Sequence, residues 1–353
     1  MSRFWSDSVH NLTPYTPGEQ PQIDGLIKLN TNENPYAPSP KVEDAMAKAN
    51  NKDLRKYPDP NASALKNAIA KHFNIEPAHV FVGNSSDEVL AHAFRTFFIQ
   101  DKPILTPDIS YSFYPPLSRL LDIEYKSMPL RDDFTVNVKD YLIDNGGIIF
   151  ANPNAPTGIA LAINEIEYLL KNNSHSVIIV DEAYVDFAGD SAVRLIGQYP
   201  NLLVTQTLSK SRSLAGLRVG LAVGNEKLIE GLERVKNSFH PYALNSLALA
   251  GATAAFEDLD YFKSCVKKVI STRDKISVEL KSLGFNVLPS SANFVFATHP
   301  NHGAKELFQS LRNRKILIRY FDSKRISDYL RISIGTDQEM AQLIDVLKEL
   351  LAE

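Results

Sequence analysis

The chain has 353 residues, 44% hydrophobic and 22% charged, enough for one large domain with a smaller companion or for two comparable ones. Its 38 basic and 41 acidic side chains leave a formal net charge of −3, which gives no reason to expect nucleic acid or an anionic membrane as a partner. The single cysteine, Cys265, excludes an intrachain disulfide and a cysteine-cluster zinc site, and the eight histidines include no HxxxH spacing, so no metal is expected.

The N-terminal stretch is polar and proline-rich, lacks the apolar core of a signal peptide, and reads as an extended arm. His79-Val80-Phe81-Val82 is predicted to be a strand, followed by a helix through SSDEVLAHAFRTFF. Short apolar runs then recur at 103–105, 147–150, 177–180, 201–205 and 219–223, with a helix-like NEIEYLLKNN among them. Val177-Ile178-Ile179-Val180 is apolar throughout, as expected of a strand buried on both faces. The alternation predicts an α/β fold, with a mostly parallel sheet flanked by helices in a large domain. The stretch 247–256 is too short and too alanine-rich to span a bilayer, so a cytoplasmic enzyme is the simplest reading. After about residue 262 a long helix precedes strand-like segments at 285–288, 293–297, 316–319 and 329–334, with a last helix from Asp337. The expected division is 1–45 for the arm and part of a small domain, 46–262 for the large domain, and 263–353 for a smaller α/β domain.

Open parallel sheets place ligands at the carboxyl ends of their strands, and four strings fall there. Asp181 and Glu182 follow VIIV, either as a buried carboxylate with a cationic partner or as a helix cap. Lys210 follows the strand at 201–205, with Thr207, Ser209 and Arg218 nearby, three groups suited to phosphate oxygens. Lys210 is a candidate nucleophile if desolvated, and otherwise a surface lysine in a serine-rich loop. In GNSSDE, Ser86 and Asp87 open a helix whose backbone amides could bind an anion, while Ser85 and Glu88 have the spacing of a capping box. Asn152 to Gly158, the string NPNAPTG, is a rigid polar turn after a strand.

In this order, together with LNTNENPY, YPDP, SYSFYP, SANFVF, ILIRYF and YLRISIG, the strings resemble the fold-type I pyridoxal-phosphate enzymes, most closely the histidinol-phosphate aminotransferases, over nearly the whole chain. The resemblance implies an aspartate-aminotransferase-like fold and pyridoxal 5′-phosphate held by Lys210 as a Schiff base. It further implies Asp181 on the pyridine nitrogen, Tyr184 on the phenolic oxygen, and Tyr111 stacked on the ring. The 5′-phosphate would lie at Ser86 and Asp87 with Thr207, Ser209 and Arg218, and Tyr57 would reach it from the second subunit of a homodimer. Arg319 and Arg331 would bind the anionic tails of the substrates, Tyr15 would close over them, and Asn32 would line the pocket. The implied reaction is reversible amino transfer between L-histidinol phosphate and 2-oxoglutarate, in histidine biosynthesis.

Two departures from the family pattern stand out. Ala155 occupies the place of an asparagine that bonds the phenolic oxygen, with Asn154 or Asn152 as the expected substitute donor. Ser85 stands where a glycine is usual, which disfavours a positive φ. An aromatic or broad-range amino acid aminotransferase and a threonine-phosphate decarboxylase-like enzyme fit the same motifs, and a non-catalytic binding protein on this fold is a further alternative.

Overall fold

Strands β1 (Val80–Asn84), β2 (Ile104–Pro107), β3 (Tyr125–Met128), β4 (Gly147–Ala151), β5 (Ile178–Asp181), β6 (Leu202–Thr207) and β7 (Val219–Gly224) form one sheet in the order β1-β7-β6-β5-β4-β2-β3. The structure is a computed structural model that describes residues 3–10 and 12–352. Only β7 runs antiparallel to its neighbours. The apolar runs are continuous because both faces are covered. Val80, Ile148, Phe150, Ile178, Val180, Leu202 and Val204 enter one core cluster, while Phe81, Ile149, Ile179 and Leu203 enter the cluster on the opposite face.

Helix α1 (Ser85–Phe97) starts one residue after β1. It lies so close to β7 that a Cβ on Gly220 would stand 2.3 Å from the Ser86 nitrogen, so only glycine fits there. Helix Pro40–Ala49 spans the expected boundary at residue 45 and sends Val42 into the large core. Helix α2 (Leu259–Ser282) spans the one at 262 and sends Val266, Val269, Ile276 and Leu280 into the second core.

That second core is closed by an antiparallel sheet in the order Arg319–Tyr320, Leu330–Ser333, Phe294–Thr298, Asn286–Val287. The run expected as one strand at 316–319 is two. Ile316–Leu317 pairs in parallel with Ile27–Lys28, whereas Arg319–Tyr320 pairs with Leu330–Ser333 in the other sheet. Ile318, buried between them, is the point at which the chain changes partners. The N-terminal segment is thereby tied to the strands around the second core, since Leu29 N donates to the Leu317 carbonyl (2.7 Å) and Ser333 N to the Leu29 carbonyl (3.0 Å).

Edge strand β3 was not predicted; its Tyr125-Lys126-Ser127 are at most half-buried, and the polar run carries no periodic signal. The alanine-rich stretch read only as too short for a membrane forms helix Ser246–Glu257. Among the described residues no helix is long and apolar enough to cross a membrane.

Candidate active site

A cavity of about 530 Å³ opens where β4, β5 and β6 end, bounded by the start of α1, residues 15–33 of the N-terminal segment and the small sheet. Lys210, Asp181, Tyr184, Ser86, Asp87, Tyr111, Thr207, Ser209, Arg218, Tyr15, Asn32, Arg319 and Arg331 all line it. Of the residues expected to bind cofactor or substrate, Asn154, with its alternative Asn152, and Tyr57 do not.

Lys210 Nζ donates to the Thr31 carbonyl at 2.9 Å. Burial, and then the Arg331 charge, lower its pKa to about 8, against the opposing pull of Glu33 and Asp87. Asn34 Nδ2 holds the lysine's own carbonyl at 3.0 Å. The amine is thus fixed by its backbone and aimed into the cavity by a neutral acceptor.

The two carboxylates at the end of β5 divide their work. Glu182 takes the structural role left open by the sequence. It accepts from Ser191 Oγ (2.6 Å), the Ala192 amide (2.6 Å) and Gln206 Nε2 (2.9 Å), and burial pushes its pKa to about 7. Asp181 faces the cavity and accepts from Tyr114 Oη (2.8 Å) and Thr205 Oγ1 (3.2 Å). Burial raises it to about 6 although both bonds lower it, because no cation of the described protein pairs with it. Its environment therefore calls for a positively charged or N–H-donating group from outside the chain.

The start of α1 faces the loop after β6 across one end of the cavity. Ser85 adopts φ +70° in spite of its side chain, so the turn keeps the conformation that the serine was expected to disfavour. Its amide donates to the Arg218 carbonyl (2.9 Å), and its hydroxyl accepts from the Asp87 amide (3.1 Å) and donates to Asp87 Oδ2 (3.1 Å). The expected capping box is also displaced by one residue, because Glu88 caps the Asn84 amide rather than that of Ser85. Arg218 Nη2 reaches Asp87 Oδ2 at 2.9 Å, and Thr207 Oγ1 donates to Ser209 Oγ at 2.9 Å. Tyr111 Oη donates to Asp87 Oδ1 at 3.1 Å, and its ring lies edge-on to that of Tyr15, 6.2 Å between centroids.

At the other end, Arg319 and Arg331 are directly opposed across two antiparallel strands. Like charges in register are unfavourable unless something anionic is shared between them. Both guanidinium carbons lie 5.3 Å from the Phe321 ring centroid. Arg331 Nη2 donates to the Asn30 carbonyl at 2.8 Å, while its buried Nε has no partner. Burial is the main force lowering its pKa, with Arg319 adding to it. Neither arginine forms an ion pair with an acidic residue among the described residues.

One expectation is not met in this geometry. Asn154 has its amide committed to the Ile109 carbonyl (2.9 Å) and Thr157 Oγ1 (3.1 Å), and its oxygen to Ser110 Oγ (2.9 Å). Asn152 is likewise bound at both ends to Leu161. Both asparagines brace the turn, and Ala155 and Pro156 are the turn residues that reach the cavity wall. Tyr57 is 81% exposed and stacks on Tyr242 at 4.6 Å, away from the cavity of its own chain. The sequence reading missed Tyr114, Thr205, Asn34 and the Thr31 carbonyl.

The model of the family described as aminotransferase class I and II matches residues 24–347. Histidinol-phosphate aminotransferase 1 of Hydrogenovibrio crunogenus is 56% identical over 351 residues, 99% of each chain. The histidinol-phosphate aminotransferase of Pseudomonas syringae pv. syringae is 54% identical over 350 residues, covering 99% of this chain and all of the relative. Among solved structures, the histidinol-phosphate aminotransferase from Sinorhizobium meliloti in complex with pyridoxal-5′-phosphate shares the fold with a TM-score of 0.89, at 23% identity, covering 100% of this chain and 98% of that one.

Proposed function

The chain belongs to the class I and II aminotransferases, and from that premise we infer that it exchanges an amino group between L-histidinol phosphate and 2-oxoglutarate, with pyridoxal 5′-phosphate held at Lys210. The choice of substrate rests on the full-length likeness to histidinol-phosphate aminotransferases. The geometry supports it in the Arg319–Arg331 pair, which suits the one feature that these substrates share, an anionic tail.

The cavity fits the cofactor on its own terms. Asp181 is a buried carboxylate without a cation, and a pyridinium N–H is the partner that it lacks. The amides of Ser86 and Asp87, with Thr207, Ser209 and Arg218, form a donor set for a phosphate, and Gly220 lets the helix start come close enough to share it. Tyr184 presents a hydroxyl and Tyr111 an aromatic face. When bound, pyridoxal phosphate supplies the electron sink and the temporary seat of the amino group.

The protein's part is to bind, orient and move protons. Lys210 Nζ, poised near pH 8, both takes a proton from the substrate Cα and returns one. Asp181, held by Tyr114 and Thr205, stays in place to keep the ring nitrogen protonated. Arg319 and Arg331 hold a phosphate or a carboxylate in turn, and Tyr15 beside Tyr111 covers the site. Exposed Tyr57 has nothing to serve in its own chain's cavity, which supports a homodimer in which it reaches the partner's phosphate site. We place the enzyme in the cytoplasm, in keeping with its one buried, unpaired cysteine.

The test is an assay with purified protein, pyridoxal phosphate, L-histidinol phosphate and 2-oxoglutarate. Glutamate formed in step with loss of histidinol phosphate is expected. Absence of glutamate, or release of carbon dioxide in its place, would contradict the reading.

A further inference from the structure

Tyr184 is asked to give one proton to the phenolic oxygen of the cofactor, and Ala155, at the place of the usual second donor, can give none. A tyrosine hydroxyl has a single proton and will spend it on whichever acceptor is nearest. What surrounds that hydroxyl therefore decides whether the proton is available.

Its neighbour is Asn32, whose Nδ2 lies 2.9 Å from Tyr184 Oη. Asn32 has φ +55°, a conformation that asparagine tolerates better than most residues. Three bonds hold it there. Its backbone N–H donates to Ser333 Oγ (2.9 Å), Ser333 Oγ donates back to Asn32 Oδ1 (2.8 Å), and Asn293 Nδ2 donates to the Asn32 carbonyl (2.9 Å). All three residues are buried.

The sense of this chain is fixed at one end. A backbone N–H can only donate, so Ser333 Oγ accepts from Asn32 N and must spend its own proton on Asn32 Oδ1. That orients the side-chain amide with Nδ2 toward Tyr184, so the tyrosine oxygen accepts and its proton points elsewhere. With the amide turned over, Oδ1 would take the Tyr184 proton, and Ser333 would face two donors.

We propose that Asn32, clamped by Ser333, is a positioning residue that aims the Tyr184 proton at the cofactor's phenolic oxygen and so makes up for the donor missing at Ala155. This rests on the proposed binding of pyridoxal phosphate at Lys210. It also changes the expected part of Asn32, whose amide serves the tyrosine rather than the substrate. Because Ser333 and Arg331 alternate along one strand and both grip the 29–32 segment, the strand that holds the substrate anion also sets the tyrosine.

The test is a pH titration of the visible absorbance of the holoenzyme. A donor to the phenolic oxygen stabilises its anionic form and weakens the hold of the lysine–cofactor linkage on its proton, so loss of that donor raises the midpoint. Asn32→Asp keeps the shape and the tolerance for positive φ but turns a donor into an acceptor. It should raise the midpoint by about one pH unit, a tenfold change in proton affinity. Its KM for histidinol phosphate should change far less than its kcat. Ser333→Ala adds no charge and should move the midpoint the same way by less. In a Tyr184→Phe background Ser333→Ala should move it no further. An unmoved midpoint in both single variants would overturn the proposal, as would a Ser333→Ala shift that is undiminished without the tyrosine hydroxyl. A rise in the KM for histidinol phosphate with the midpoint unchanged would make Asn32 a substrate contact instead. Wild-type protein that shows no visible band with added pyridoxal phosphate would overturn the underlying functional reading, and this proposal with it.

Discussion

Two groups that line the cavity, Lys210 and Asp181, are shifted in opposite directions by burial, and each has a pH signature. Lys210 is held near 8 by burial, below an ordinary lysine, so its free amine appears earlier as pH rises. Capture of added pyridoxal phosphate by cofactor-free protein should therefore speed up with a midpoint near pH 8. A midpoint near that of a solvated lysine would contradict the burial argument. Asp181 is raised from 3.8 to about 6, so the folded state binds the extra proton between those values. Stability of the cofactor-free protein should fall as pH rises through that window and stay lower above it. Asp181→Asn should then stabilise the cofactor-free protein at pH 7 by up to about 3 kcal/mol in thermal or urea melts. The same variant should weaken cofactor binding and cut kcat about 100-fold or more. No gain in cofactor-free stability would mean that the carboxylate already has a partner. Much of this was legible in residues that follow apolar strands, since Asp181 and Lys210 stand where an open sheet presents its ligands. The Thr31 carbonyl was not legible, because a backbone acceptor leaves no mark in the residue alphabet. Tyr114 opens the helix Tyr114–Leu120, which turns its buried ring to Asp181, and Asn154 has the right amide on a turn that directs it inward.

At the level of elements, two contacts shape the ends of the cavity. Gly220 on β7 allows α1 to begin against the sheet, so a methyl there must move backbone on one side or the other. Gly220→Ala should cost about 1–3 kcal/mol and lower cofactor affinity more than tenfold, read by equilibrium titration. Unchanged affinity would mean that the helix start does not form the proposed phosphate site. Strand Leu330–Ser333 carries Arg331 opposite Arg319, so Arg331→Ala should raise the KM for both histidinol phosphate and glutamate. An effect on one substrate alone would show that the two anions have separate seats. The strands buried on both faces were readable as continuous apolar runs. The edge strand Tyr125–Met128 was not, since half of its surface faces out, and neither was the break at Ile318, where pairing is decided by distant segments.

For the whole molecule, the N-terminal segment is the piece that joins the parts. Leu29 to Asn34 touches the small sheet, Lys210, Tyr184 and Arg331, contacts separated by up to 301 positions in sequence. The resemblance of LNTNENPY to a family string pointed to it, but its reach is a property of the fold. Tyr57 extends the argument to a second copy. Mixing inactive Lys210→Ala and Tyr57→Ala proteins, with subunit exchange, should restore one intact site per mixed dimer, about a quarter of wild-type activity. No recovery would contradict a shared site. The central claim is that Lys210 holds pyridoxal phosphate for transfer from histidinol phosphate, and it is tested most directly by the visible absorbance of the purified holoenzyme. The band should collapse on adding L-histidinol phosphate, return with 2-oxoglutarate, and be absent in Lys210→Ala. A band that ignores histidinol phosphate, or that survives intact in Lys210→Ala, would contradict it.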